Sequence, residues 1–169
     1  MKHNISVRAM VFEDINRVSE IYSKVYNPTY VSFGDLASGL ADSSGSPTEN
    51  ADRIFYEEVV DLIRNSKTTE GQFVATIDGE VAGFALASLK ETDAGHLECW
   101  LNDLGVHPDY QGLKIGRKIV EKAIEWGCQG NAKYFLLESG FNNEQAHHFF
   151  EGVGFHPLAI VFHRVAPLS

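Results

Sequence analysis

Apolar residues recur at helical spacing through Ile15, Val18, Ile21, Tyr22 and Val25, which predicts an amphipathic helix over residues 14–26 with Asp14 near its start. A first strand is expected ahead of it, over residues 5–10. The period is then lost. Residues 27–50 carry Pro28, Gly34, Gly39, Gly45, Pro47 and the polar run Asp42-Ser43-Ser44-Gly45-Ser46, and read as a long loop of the kind that is functional or mobile. A second helix is expected over residues 48–65, with Ile54, Phe55, Val59, Leu62 and Ile63 on one side. Residues 72–77 and 81–89 read as strands joined at Asp78-Gly79, a pair suited to the type I′ hairpin turn. Another strand follows over residues 97–106. Ile115, Ile119, Ala123 and Trp126 then mark a helix over 115–126, with Gly127 as its expected C-cap. Tyr134 to Leu137 is an unbroken apolar run, the pattern of a strand buried on both faces. Asn142 or Asn143 caps a helix reaching Glu151, Gly152 and Gly154 end it, and residues 159–165 supply a closing strand. This order implies an α/β protein: a mixed sheet covered by helices on both faces, in a single domain over residues 1–169.

A chain of 169 residues buries enough surface to stand without disulfides or metal. Its net charge of −9 argues against nonspecific nucleic-acid binding, which needs a basic face, and suits a cationic partner such as an amine. No apolar run is long enough to span a membrane. After Lys2 and His3 the chain turns polar rather than apolar, so no leader peptide is read and a cytoplasmic protein is expected. Cys99 and Cys128 read as reduced, unpaired thiols, and neither has metal-ligand spacing. Charge placement is more telling than the total, because Lys114, Arg117, Lys118 and Lys122 cluster in one stretch of an acidic chain.

That stretch carries the candidate chemistry. From Leu104 to Arg117 the chain reads L-G-V-H-P-D-Y-Q-G-L-K-I-G-R, a strand, a His-Pro-Asp turn, a glycine-containing loop and a helix start. The first amides of a helix lack internal partners and carry partial positive charge, so a loop leading into one is a cradle for phosphate. The loop is neither a G-x-x-x-x-G-K-[ST] phosphate loop, since Arg117 and Lys118 follow Gly116, nor a G-x-G-x-x-G fingerprint. It resembles the acetyl-CoA signature of the GCN5-related N-acetyltransferase (GNAT) superfamily, L-x-V-x-P followed by Q/R-x-x-G-x-G/A. Leu104, Val106, Pro108, Gln111, Gly112 and Gly116 fit, while Lys114 replaces the first signature glycine and is placed to contact a phosphate through its ammonium. Residues 143–155, N-x-x-A-x-x-F-F-E-G-V-G-F, resemble the closing signature of the same family.

The resemblance implies about seven strands in a mostly antiparallel sheet and transfer of an acetyl group from acetyl-CoA to a primary amine of a small molecule or protein. It places backbone groups of Leu104, Gly105 and Val106 on the pantetheine arm, with a strand bulge as the plain alternative for Gly105. Amides from Gly112 through Leu113, Lys114, Ile115 and Gly116 to Arg117 would take the pyrophosphate. Asn143 would reach the pantetheine region. Glu98 and Asp103 are the candidate general bases. Their odd spacing predicts opposite sheet faces, and Cys99, Trp100 and Leu101 around Glu98 suggest burial, which favours Glu98 slightly. Where the family has a tyrosine near the cofactor sulfur, this chain has Phe150, which donates no proton. His147, one turn earlier, is the nearest substitute acid, with Tyr110 and Tyr134 as further options. Asp35, Asp42 and Glu49 in the long loop are positioned to attract a cation, with plain solvation as the bland reading. A homodimer is expected from the resemblance. The competing reading is an acyl-CoA-binding sensor without turnover.

Overall fold

The hairpin at Asp78-Gly79 forms as expected: both residues take positive φ, 52° and 93°, the pair that type I′ requires. The computed structural model describes residues 3–166, so Lys2 is outside the described residues. The elements run β1 (Ile5–Ala9), α1 (Ile15–Val25), α2 (Phe33–Ser38), α3 (Ala51–Arg64), β2 (Glu70–Ile77), β3 (Glu80–Glu91), β4 (Leu97–Val106), α4 (Ile115–Gln129), β5 (Ala132–Leu137) and α5 (Glu144–Gly152). The chain divides into two compact units, Met1–Val25 with Asp52–Leu137 and Tyr26–Ala51 with Glu138–Ser169.

The first unit holds one sheet of five strands in chain order, β1-β2-β3-β4-β5. All neighbours are antiparallel except β4 and β5, which are parallel. Helices cover both faces, and two adjacent residues show which goes where. A Cβ at Gly83 would lie 2.9 Å from Ile119 Cδ1, so that face carries α4. Phe84 points to the other face, where its ring centroid is 5.5 Å from that of Phe55, which stacks on Tyr22 at 3.8 Å. The core is therefore made of Val18, Ile21 and Tyr22 from α1, Phe55 and Val59 from α3, and Ile115, Ile119 and Val120 from α4, all fully buried. Asp14 sits at the entry to α1. Burial pushes its carboxyl up, but the Arg8 guanidinium, bonded at 2.6 and 2.8 Å, and the Val11 amide at 2.9 Å hold it below the ordinary value.

Three expectations for this unit change. The helix expected to stop at Gly127 continues to Gln129, with Gly130 as C-cap. Gly127 is an interior packing position instead, where a Cβ would come within 2.9 Å of Cys99 Sγ. Cys99 is buried, and that burial, with the nearby Cys128, pushes its thiol up to about 11; Cys128 is exposed, and both thiols are free. β5 was expected to be covered on both faces, yet Tyr134 is exposed and Phe135, Leu136 and Leu137 are half-buried.

In the second unit the long loop contains α2, which periodicity did not announce because six residues give too few turns to show a stripe. It is set by local chemistry: the Asp35 carboxylate accepts from the Ser32 amide at 2.6 Å, and Gly39, at φ 81°, closes it. Asn143 rather than Asn142 caps α5, its Oδ1 accepting from the Ala146 amide at 3.3 Å. The strand expected over residues 159–165 does not form among the described residues, so the sheet has five strands rather than about seven. Segment 156–166 pairs with no strand, and all of it is exposed.

Candidate functional site

The cradle is built by three consecutive local decisions. Pro108–Tyr110 makes a single 3-10 turn, and buried His107 pins it: His107 Nδ1 accepts from the Asp109 amide at 3.2 Å, while its Nε2 lies 2.8 Å from Lys24 Nζ on α1. Gln111 then turns its side-chain amide back to donate to the Val106 carbonyl at 3.3 Å. Gly112 and Lys114 both take left-handed backbone, at φ 80° and 63°. For glycine this costs nothing, whereas a side chain there costs roughly 1–2 kcal/mol. A glycine at the Lys114 position is thus explained by backbone geometry, and Lys114 occupies it under strain. Ile115 anchors the start of α4 with a side chain only 1% exposed, so its amide, not its side chain, is what it offers the loop.

Among the described residues nothing accepts from the main-chain N–H groups of Gly112, Leu113, Lys114, Ile115 or Gly116. Five successive donors at a helix start, beside the exposed side chains of Lys114, Arg117 and Lys118, are what a diphosphate needs. Arg117 makes an interaction of its own. Lys122 is bound to Glu125 at 2.8 Å and is less available than its sequence position suggested.

β4 supplies the second part. Its ladder with β5 ends at Leu101↔Leu137, while its ladder with β3 continues to Val106↔Gly83. At the point of divergence the β3 register slips: Ala87 pairs with Leu101 but Leu86 pairs with Asp103, so Asn102 is a bulge residue. The bulge overturns the parity expected for the two carboxylates. Glu98 pairs with Lys90 and Asp103 with Leu86, and Lys90 and Leu86 share a face, so Glu98 and Asp103 share it too. It also removes the bulge reading of Gly105. That residue is a close-approach position opposite Phe84, where a Cβ would come within 2.5 Å of the ring.

The neighbours of the two carboxylates differ. Glu98 is half-buried and accepts from the Trp100 indole N–H at 3.2 Å, and Lys90 Nζ lies 5.3 Å from the centre of the Trp100 ring. Asp103 is half-buried two residues before Gly105. Tyr110 donates its hydroxyl to Glu80 at 3.0 Å, a bond that together with partial desolvation raises the phenol pKa. Tyr134 is on β5, edge-on to His96 at 5.3 Å.

Unit one thus brings together Glu98, Asp103, Leu104–Val106 and the cradle from Gln111 to Arg117. Asn143, His147 and Phe150 all belong to α5 or its cap, in the second unit. The His147 ring nitrogen Nε2 is 3.0 Å from the Gly140 carbonyl and donates to it, so a neutral ring has no proton left at Nδ1 to give. Phe150 lies in an aromatic group with Phe149 at 5.2 Å and Phe155 at 6.0 Å.

Sequence reasoning missed one arrangement in this unit. Asp35 is buried, and that burial, reinforced by the charge of Glu138, raises its pKa despite the bonds from Ser32 and Tyr26. Glu138 in turn accepts from the Gly34 amide at 3.0 Å. No local signal joins positions so far apart in the chain. Asp42 instead closes a turn of its own, accepting from Ser44 and Ser46.

Comparison with known proteins bears on this geometry. The model of the acetyltransferase (GNAT) family matches residues 37–155. An uncharacterized N-acetyltransferase of Archaeoglobus fulgidus is 32% identical over 91 residues, covering 50% of this chain and 59% of that protein. A probable N-acetyltransferase camello of Xenopus tropicalis is 30% identical over 107 residues, covering 62% of this chain and 48% of that protein. The match therefore spans about half the length of these curated relatives. Among solved structures, the aminoglycoside N-acetyltransferase AAC(6')-Iy in complex with CoA superposes with a TM-score of 0.73 at 14% identity, over 98% of this chain and 97% of that one. At that identity the likeness is one of fold. Among the described residues no helix is long and apolar enough to cross a membrane.

Proposed function

This chain belongs to the acetyltransferase (GNAT) family, and on that premise we propose that it transfers an acetyl group from acetyl-CoA to a primary amine. The observation that carries the proposal is the row of five unpartnered amides from Gly112 to Gly116 at the start of α4. Those amides, with Lys114 and Arg117 beside them, would hold the pyrophosphate. Main-chain groups of Leu104, Gly105 and Val106 would hold the pantetheine arm in strand-like pairing, at the stretch where β4 has parted from β5. When bound, the cofactor supplies an activated acetyl thioester, and the work left to the chain is mostly positioning.

A neutral amine is the nucleophile, so a base must take its proton. Asp103 is the first choice, because it is half-buried two residues before Gly105, next to the stretch that would hold the pantetheine arm. Phe150 provides no acid. His147 would act as one only after protonation, because its neutral ring already donates to Gly140. For the acceptor, the net charge of −9 favours a cationic amine. The aminoglycoside enzyme of like fold adds amino sugars to the candidates.

The test is thiol release from acetyl-CoA across a panel of polyamines, amino sugars, amino acids and lysine peptides. Acceptor-dependent release on any class supports the enzyme. Saturable coenzyme A binding without release on any class would favour the sensor reading instead.

Lys114 permits a sharper test of the cradle. Lys114→Gly should relieve left-handed strain and raise the unfolding free energy by about 1 kcal/mol, less what glycine adds to the freedom of the unfolded chain. If the ammonium contacts a phosphate, the same change weakens coenzyme A binding by roughly tenfold, the size of one charge-assisted hydrogen bond. Thermal unfolding and calorimetric titration of one variant read the two effects separately. Unchanged affinity would place the ammonium away from the phosphates.

A further inference from the structure

Two of the chain's own primary ammonium groups rest on aromatic rings at the sheet face that carries Glu98 and Asp103. Lys90 Nζ lies 5.3 Å from the centre of the Trp100 ring, and Lys133 Nζ lies 5.2 Å from that of Tyr134. Trp100 follows Glu98 by two residues on β4, and Tyr134 is the β5 partner of Glu98, so all three side chains leave one face. Glu98 therefore has an indole beside it along its own strand and a phenol beside it on the next.

The carboxylate between the rings has capacity left. Glu98 is half-buried, and among the described residues its side chain accepts only the Trp100 indole N–H, at 3.2 Å. No ion pair with a described residue offsets its charge. Lys90, its cross-strand partner on β3, lies over the indole instead. A carboxylate with lone pairs to spare, flanked by two ring faces, is the recognition chemistry of an ammonium. Lys90 is exposed on a flexible four-carbon stem, and that ring contact is its only side-chain contact with the described residues. It is easily displaced.

We propose that Trp100, Tyr134 and Glu98 form a subsite for a second ammonium of the acceptor, covered by Lys90 until the acceptor displaces it. The inference rests on the amine acceptor proposed above and narrows its class to molecules with two amines. Register sets their spacing. Trp100 pairs with Ser88, Glu98 with Lys90 and Asp103 with Leu86, so the indole and Glu98 lie two and four pleat steps from Asp103, about 7 and 14 Å along the strand. A six-carbon chain between two amines falls within that range. One amine gives up its proton near Asp103 and reacts, while the other stays charged between the rings. An acceptor with a single amine leaves the subsite to Lys90.

The test compares 1,6-diaminohexane with 1-aminohexane as acceptors for acetyl-CoA, and follows the Trp100 indole N–H by NMR. The chain has two tryptophans, so the signal lost in Trp100→Leu is the one to follow. The wild type is expected to favour the diamine by about tenfold, in KM rather than kcat, the size of one cation–π contact joined to one charge-assisted bond. Trp100→Leu should erase that preference. Lys90→Met should raise it by about threefold, because the competing ammonium is gone and the apolar stem remains. A purely structural Lys90 predicts the opposite sign, since losing a packing contact does not improve binding. The diamine should also shift the Trp100 N–H signal by more than the monoamine does. Equal use of the two acceptors by the wild type, or a preference in Lys90→Met no greater than the wild type's, would overturn the subsite and leave acetyl transfer standing. A shifted signal without thiol release would sink acetyl transfer and keep the subsite. Neither release nor shift would overturn the subsite as well. The wild-type comparison needs no variant, so it decides the matter even if Trp100→Leu fails to fold.

Discussion

Gly116→Glu should abolish coenzyme A binding and leave the protein as stable as before, or slightly more so. The two effects have opposite signs for one reason. Gly116 is the second residue of α4, in the first turn, where the helix amides point outward and the dipole is positive. A glutamate there suits the helix. It replaces a poor helix former with a good one, a difference of about 0.5–1 kcal/mol, and sets a negative charge at the favourable end. The same carboxylate competes with a diphosphate for the same donors and repels it. Affinity should fall by more than about 100-fold, the scale set by losing several charge-assisted hydrogen bonds at once. Calorimetric titration with coenzyme A and thermal unfolding of the same sample check both halves. Retained affinity in a folded variant would move the pyrophosphate away from α4 and remove the main support for the proposed reaction. Lost affinity together with a large drop in unfolding temperature would mean only that Gly116 packs tightly.

The features that could be read in the sequence are those decided by neighbouring residues. The spacing of Ile15, Val18, Ile21 and Tyr22 gives α1, and all four are buried. Asp78-Gly79 gives the hairpin turn because only a few residues accept positive φ twice running. The glycine loop and the start of α4 were visible for the same reason, since adjacent residues mark both in the sequence. α2 could also have been found, because Ser32 and Asp35 stand at capping-box spacing. What stayed hidden depends on partners across the sheet. Counting residues between Glu98 and Asp103 assumes one pleat step per residue. The bulge at Asn102 breaks that count through its pairing with β3, and nothing in the local composition marks it. The closing strand follows from a sound apolar pattern, but a strand also needs an edge to join, and segment 156–166 pairs with no strand among the described residues. The Asp35–Glu138 pair is hidden for the same reason, being made by the fold and not by spacing.

The shared face of the two carboxylates turns the question of the base into one of position along β4 rather than of direction. Glu98 lies near the start of the strand, opposite Lys90, and holds the Trp100 indole. Asp103 lies next to the bulge, where β4 has left β5 and the chain approaches Gly105. Asp103→Asn keeps the size of the side chain and removes its capacity to take a proton. With the best acceptor from the amine panel it should lower kcat by about 10²–10⁴-fold, the usual contribution of a positioned base. Coenzyme A affinity should not change, because the cradle is untouched. Glu98→Gln keeps an oxygen for the Trp100 N–H and should cost less than about tenfold, the scale of one perturbed hydrogen bond. Steady-state rates for the two variants, each with its coenzyme A affinity measured alongside, decide between them. The reverse ranking would make Glu98 the base and give Asp103 the structural part. Equal, small losses would mean that neither carboxylate takes the proton and that the amine arrives already neutral.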